Sequence, residues 1–381
     1  MDMDLASLPD AIWNMALIKI VPFLFVLTVI VFFHELGHYL IGRWSGIKIM
    51  AFSIGFGPEL VGVTDRHGTR WKLCAIPLGG YVKFFGDENA ASMPSDAALR
   101  EASAEDRARA FQSASVGKRA ATVAAGPIAN FILAIAIFAA TAYASGIVVG
   151  DPIVSEVRPN SPAAVAGIQP GDRVTSADGE RIRYFSDLQR YVSTRAGEPI
   201  QLGLERGGAN KTVSVTPDLQ TQTDGFGNSY QVAVIGIVAN SEQAAFRHEN
   251  LSPVEALNYG VSQTWFVIER TVAFIGGIFR GAEKADQIGG PIKIAQVSSQ
   301  VATLGFAPLL NLAALLSISI GLLNLLPIPM LDGGHLLFYA FEAARGKPLS
   351  ERVQEFGFRI GLALVMLLMV FAFWNDLSGR T

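Results

Sequence analysis

The sequence predicts a membrane α-helical protein with four transmembrane helices, a membrane-associated β-hairpin region after the first, and one external α+β domain. Three observations support this. The 381 residues are 50% hydrophobic and only 17% charged, with a mean hydropathy of +0.36, too apolar for an ordinary soluble chain of this size. Four far-separated stretches are nearly free of charge and reach the roughly 20 residues that a helix needs to cross a bilayer core. Between the first two, Arg43, Lys48, Arg66, Arg70, Lys72, Lys83, Arg100, Arg107, Arg109, Lys118 and Arg119 form the basic bias of a cytoplasmic loop. The formal net charge of −3 gives no basic field, so nucleic acid is not an expected partner. With Cys74 the lone cysteine, any metal must be held by histidines and carboxylates.

Residues 1–46 contain the first transmembrane helix, because Ile20 to Gly42 is interrupted only by His34, Glu35 and His38. The acidic start, Met1 to Asp10, lacks the basic n-region of a cleaved signal, so this span is expected to be kept. Residues 47–116 are read as the membrane-associated β region and a cytoplasmic linker. IKIMAFSIGFG and TRWKLCAIPLGGYVKF are rich in β-branched and aromatic residues and broken by Gly and Pro. Gly79, Gly80 and Tyr81 would permit a bulge or close backbone approach, and a free strand edge there would accept another chain, which makes them candidate substrate-binding residues. The plain alternative is a cytoplasmic hairpin. Polar residues 87 to 116 suit a linker with a short helix around Ser103 to Gln112.

Residues 117–150 form the second transmembrane helix, uncharged from Ala120 to Gly150. Gly126, Pro127 and Asn130 at its start read as helix-packing residues. Residues 146–220 alternate like strands (PIVSEV, QLGLE, KTVSVT) around one helical stretch, FSDLQRYVST, and predict the small α+β domain. Residues 221–293 are an external linker with an amphipathic helix from Pro253 to Arg280. Glu269 and Arg270 at its middle favour a helix lying on the outer face over a fifth span. Residues 294–345 hold the third transmembrane helix, with Ile294 to Leu331 long enough for a helix plus an irregular end. Residues 346–381 hold the fourth and a tail. Ile360 to Trp374 reaches spanning length only if Phe356 to Arg359 joins it and Arg359 snorkels. The charge bias puts both termini and the external domain outside.

His34 and His38 are four apart in a helical context, so they share one face and can share one ion. In H-E-x-x-H the imidazoles bind zinc and the Glu acts as general base on the attacking water. Ionisable groups inside a spanning helix cost about 2.5 to 3.5 kcal/mol each and persist where a partner or polar cavity receives them. Three together mark a site. A catalytic zinc takes three protein ligands and keeps one position open, and LLNLLPIPMLDGGHLL nominates Asp332 or His335 as the third. Pro327 and Pro329 break the helix there and Gly333 and Gly334 loosen it, a backbone tolerated at membrane depth only where it lines a cavity. Asp332 also suits the N-cap of the helix that follows.

HELGH, LPIPMLDGG, GFGP, IPLGGYVKF and KRAATVAAGPIANF together resemble the site-2 protease family of intramembrane zinc metalloproteases, in its bacterial regulator of sigma-E protease branch. The resemblance implies one Zn2+ per chain held by His34, His38 and Asp332, with Glu35 catalytic and His335 a neighbour. It places Asn324 at a substrate-binding position, although an interhelical hydrogen bond is an equal reading. VRPNSPAAVAGIQPGDRVTSADGERI resembles a bacterial PDZ domain, whose peptide groove would follow Gly146 to Asp151 and include Gly150 and Asp151. The implied activity is hydrolysis in or near the transmembrane segment of single-span membrane proteins, such as anti-sigma factors or signal-peptide remnants, after a first external cut. The implied location is the bacterial inner membrane, in contact with the lipid bilayer, with the active centre toward the cytoplasm. A metal transporter would also place histidines in membrane helices but would not need the adjacent Glu, and a non-catalytic PDZ scaffold would not need the zinc residues.

Overall fold

A computed structural model describes residues 20–86, 102–223, 229–239, 246–280 and 289–378. In chain order, α1 (Val21–Trp44) is followed by the antiparallel strands β1 (Ile49–Thr64) and β2 (Arg70–Phe84), and then by α2 (Val116–Ser145). The next elements that matter are β3 (Arg173–Ala177), β4 (Glu180–Arg181), α3 (Phe185–Ser193), β5 (Ile200–Arg206), β6 (Ala209–Val215) and α4 (Pro253–Phe279). The chain closes with α5 (Pro291–Thr303), α6 (Phe306–Asn324), α7 (Asp332–Arg345) and α8 (Glu351–Ser378). Among the described residues, α1, α2, α6 and residues 352–378 of α8 are long and apolar enough to cross a membrane. The chain forms two compact units, residues 1–138 with 288–381 and residues 139–287.

In the first unit, α1 carries Pro22 as its second residue. It ends at Ser45 before Gly46, whose φ of +83° a side chain would oppose. The hairpin packs Phe52 and Trp71 face to face, with centroids 4.3 Å apart, against Tyr39 of α1. Asp65 ties off its turn. The carboxylate accepts from Tyr39 Oη (3.1 Å), Trp71 Nε1 (3.1 Å) and the backbone N–H groups of His67 (2.8 Å) and Thr69 (3.0 Å). Partial desolvation works against its ionised form, yet these donors outweigh it and hold the carboxyl at about 2, below its ordinary 3.8. The predicted linker is described only from residue 102, where Ser103 caps a short helix, Ala104–Ala108. Residues 87–101 lie outside the described residues.

The third apolar stretch departs from the single helix expected over 294–345. It is three helices, because the chain turns at Gly305 with φ +119° between α5 and α6, and Pro327 and Pro329 hold it irregular before α7. The second unit contains a four-stranded sheet in the order β4-β3-β5-β6. The inward faces of β3, β5 and β6 supply Val174, Leu202, Leu204 and Val215, and Leu188 and Val192 of α3 close over them. α4, the predicted amphipathic helix, is helical throughout, and its Ser252 and Glu255 form a reciprocal capping box.

Candidate active site

Two turns of α1 aim His34 and His38 at the same point. His38 Nδ1 lies 2.9 Å from the backbone carbonyl of Thr122 on α2. A carbonyl can only accept, so Nδ1 carries the ring proton and Nε2 keeps its lone pair. The two Nε2 atoms are 3.2 Å apart. Asp332, the first residue of α7, completes the group: Oδ2 is 3.2 Å from His34 Nε2 and Oδ1 is 3.6 Å from His38 Nε2. One ligand atom from each of the three residues falls within 4.8 Å of the others.

The surroundings fit a divalent cation. Asp332 Oδ2 is buried and lies 3.2 Å from His34 Nε2, an atom that can satisfy it only while it carries a proton; once Nε2 offers its lone pair, a cation must take the proton's place. The donor set of two imidazoles and one carboxylate, with one side open, suits catalytic zinc. Asp332 does not cap α7, since Leu331 occupies the cap position and no side chain bonds there. The carboxylate faces the histidines instead. His335 stands one turn on, its ring 5.4 Å from that of Phe358, and is not among the three convergent ligands.

Close backbone packing makes this possible. A Cβ on Gly126 would collide with both imidazoles, so only glycine lets α2 pass behind them. Cβ atoms on Gly333 and Gly334 would strike the carbonyls of Leu325, Leu326 and Ile328, so the LDGG turn folds tightly enough to bring Asp332 inward. Met330 in that turn has φ +88°, an uncommon conformation for a side-chain-bearing residue. Farther along α7, Glu342 accepts from Arg119 of α2 (2.6 Å), and the guanidinium sits 4.9 Å from the Tyr339 ring centroid. Both charged side chains are largely buried, so this pair fixes the two helices in register.

A cavity of about 200 Å³ opens beside the three ligands. Glu35, Gly80, Tyr81 and Asn324 line it, together with Met330 and His335. Glu35 accepts from the backbone N–H of Val82 on β2. Gly80 lets β2 run against α1: a Cβ there would meet Val31 at 2.8 Å and Glu35 Cγ at 3.3 Å. Gly79, with φ +117°, lies against Phe56, whose ring stacks on Tyr81. Gly150 and Asp151 belong to the second unit. Gly150 lines a cavity of about 1150 Å³ beside α3 and α4, and Asp151 is engaged by Arg247 (3.1 Å) and Arg173 (3.5 Å).

Residues that the sequence reading left as packing elements also touch the site. The Asn130 amide lies 3.3 Å from His34 Nδ1, and Thr122 contributes only its carbonyl, which no residue-type pattern announces. Arg119 and Glu342 are 223 residues apart. Only the four-residue spacing of Thr122, Gly126 and Asn130, which puts them on one helix face, hints at their joint role.

Comparison with known proteins agrees with the geometry. A protein of Agrobacterium fabrum that bears a zinc metalloprotease name is 55% identical over 360 residues, covering 94% of this chain and 96% of that relative. Metalloprotease MmpA of Caulobacter vibrioides is 41% identical over 384 residues, covering 95% and 96%. Regulator of sigma-E protease RseP of Salmonella typhimurium is 31% identical over 461 residues, covering 96% and 99%. The family model for Peptidase family M50 matches residues 22–368, and the chain belongs to that family as a zinc metalloprotease.

Proposed function

We propose that this zinc metalloprotease hydrolyses a peptide bond in or near the transmembrane segment of single-span membrane proteins, after a first cut outside the membrane. The observation that carries the reading is the position of the site. His34 stands about 20 Å along α1, at 1.5 Å per residue, on a helix long and apolar enough to span the bilayer. A substrate reaching Glu35 would meet it at membrane depth. The basic loop between the first two spans argues that this end of α1 faces the cytoplasm of an inner-membrane protein. One relative is named regulator of sigma-E protease, which supports a protein that controls a sigma factor as one substrate class.

His34, His38 and Asp332 would hold the zinc, which when bound supplies a Lewis acid that makes water a nucleophile near neutral pH. Glu35 then acts as general base: a carboxylate oxygen takes a proton from the attacking water and returns it to the departing amide nitrogen. Asn324, the last residue of α6 and a neighbour in the same cavity, would donate its amide N–H to the scissile carbonyl. A transmembrane helix hides its carbonyls in internal hydrogen bonds, so the substrate must unwind before attack. The stretch Gly79 to Tyr81 of β2 would receive the unwound strand by edge pairing.

The test is cleavage of a single-span substrate by purified protein in liposomes, comparing wild type with Glu35→Gln. The variant is expected to keep one zinc per chain and lose about 10² to 10⁴ in rate, the contribution of a general base. Undiminished cleavage would sink the mechanism, and zinc flux without cleavage would replace it with transport.

A further inference from the structure

α2 presents three residues, four apart, to the histidine pair. The Thr122 carbonyl takes His38 Nδ1, Gly126 clears space for both rings, and the Asn130 amide meets His34 Nδ1 at 3.3 Å. Side chains on a helix lean toward its N-terminus, which brings the Asn130 amide back over the turn that holds Gly126. The two histidines are therefore held differently. His38 faces a carbonyl that can only accept, so its tautomer is fixed. His34 faces an amide, which offers a donor on one atom and an acceptor on the other.

Asn130 is fully buried. Its backbone is clamped by α6: Ser317 Oγ donates to the Asn130 carbonyl (3.0 Å), and a Cβ on Gly321 would lie 3.3 Å from the Asn130 Cβ. In the structure Nδ2 is turned toward His34, and Oδ1 is buried with no partner among the described residues. A donor at this position requires a bare Nδ1, which leaves the ring proton on Nε2, the atom 3.2 Å from Asp332 Oδ2. Ligation of a metal by Nε2 requires the opposite tautomer, with the proton on Nδ1 and an acceptor beside it. Asn130 has that acceptor, unused, one amide rotation away, and the two atoms exchanged are of nearly equal size.

We propose that Asn130 is the positioning residue that sets the tautomer of His34. Its amide donates to Nδ1 when the site holds no metal, and it turns to accept from Nδ1–H when Nε2 takes up zinc. This rests on His34 being a zinc ligand, and the same experiment tests that separately. Metal-free protein in detergent is titrated with Zn2+ against a competing chelator, for wild type, Asn130→Ala, Asn130→Asp and His34→Ala. Loss of the partner in Asn130→Ala is expected to weaken zinc binding about 10- to 100-fold, the usual effect of removing a group that orients a metal-bound histidine. Asn130→Asp has the same reach and two acceptors, and it should bind zinc close to wild type. Asp as weak as Ala would overturn the proposal, since the amide would then serve as a donor or as packing. A His34→Ala protein that binds zinc like wild type would instead overturn the ligand assignment. Spectra of 15N-histidine-labelled wild type need no variant to fold: the His34 proton should sit on Nε2 without zinc and on Nδ1 with it. The same tautomer in both states would refute the proposal.

Discussion

Three side chains on adjacent turns of α1 carry the part of the site that is visible in the sequence. The spacing of His34 and His38 is a property of one helix, so their shared face and the neighbouring Glu35 follow from local geometry. The third residue of the group does not. Asp332 lies 294 positions beyond His38 in the chain, and spacing leaves it level with His335; family resemblance chose between them, and the Asp332 carboxylate is the one that lies beside the two Nε2 atoms. Asp332→Ala is expected to lower zinc from one per chain to well below stoichiometric, whereas His335→Ala should stay metal-loaded, as elemental analysis of the purified proteins would show. Equal zinc loss in both would put His335 among the ligands. Asn130 was read as packing because its partner is 96 residues away in sequence. A lone Asn in an apolar helix carries no signal of which group it will meet.

Among the elements, the hairpin β1–β2 and its turn show how the site is braced. Asp65 gathers donors from Tyr39 on α1 and Trp71 on β2, so one carboxylate joins the helix carrying the histidines to the strand that lines the cavity. The folded carboxyl titrates at about 2, below its ordinary 3.8. Its stabilisation is therefore complete above about pH 4 and fades as the pH falls toward 2. Asp65→Ala should melt at a lower temperature than wild type at neutral pH, with the gap closing between pH 4 and 2; a gap independent of pH would deny the carboxylate this role. Hairpin and apolar helices were legible because both patterns are short in range. The division of 294–345 was not, because the apolar run continues through Leu304 and Phe306 while the single backbone setting of Gly305, at φ +119°, turns the chain. Hydropathy registers side chains and is blind to φ.

For the whole molecule, the remaining question is what the α+β unit adds to a unit in which His34, Glu35, His38 and Asp332 already meet around one cavity. Its sheet and α3 enclose an independent core, and the cavity of about 1150 Å³ beside α3 is far larger than the 200 Å³ beside Glu35. A cavity of that size suits a length of chain rather than the reacting bond. Asp151 is already paired with Arg247 and Arg173, and a carboxylate would repel rather than hold the carboxylate of a free C-terminus. We expect removal of residues 151–220 to raise cleavage of a single-span substrate that still carries its external domain, while cleavage of the trimmed form changes little. The ratio of the two rates in liposomes measures this directly. A ratio unchanged by the deletion would end the filter reading, and loss of cleavage of the trimmed form would mean that the α+β unit acts on substrate binding rather than on exclusion.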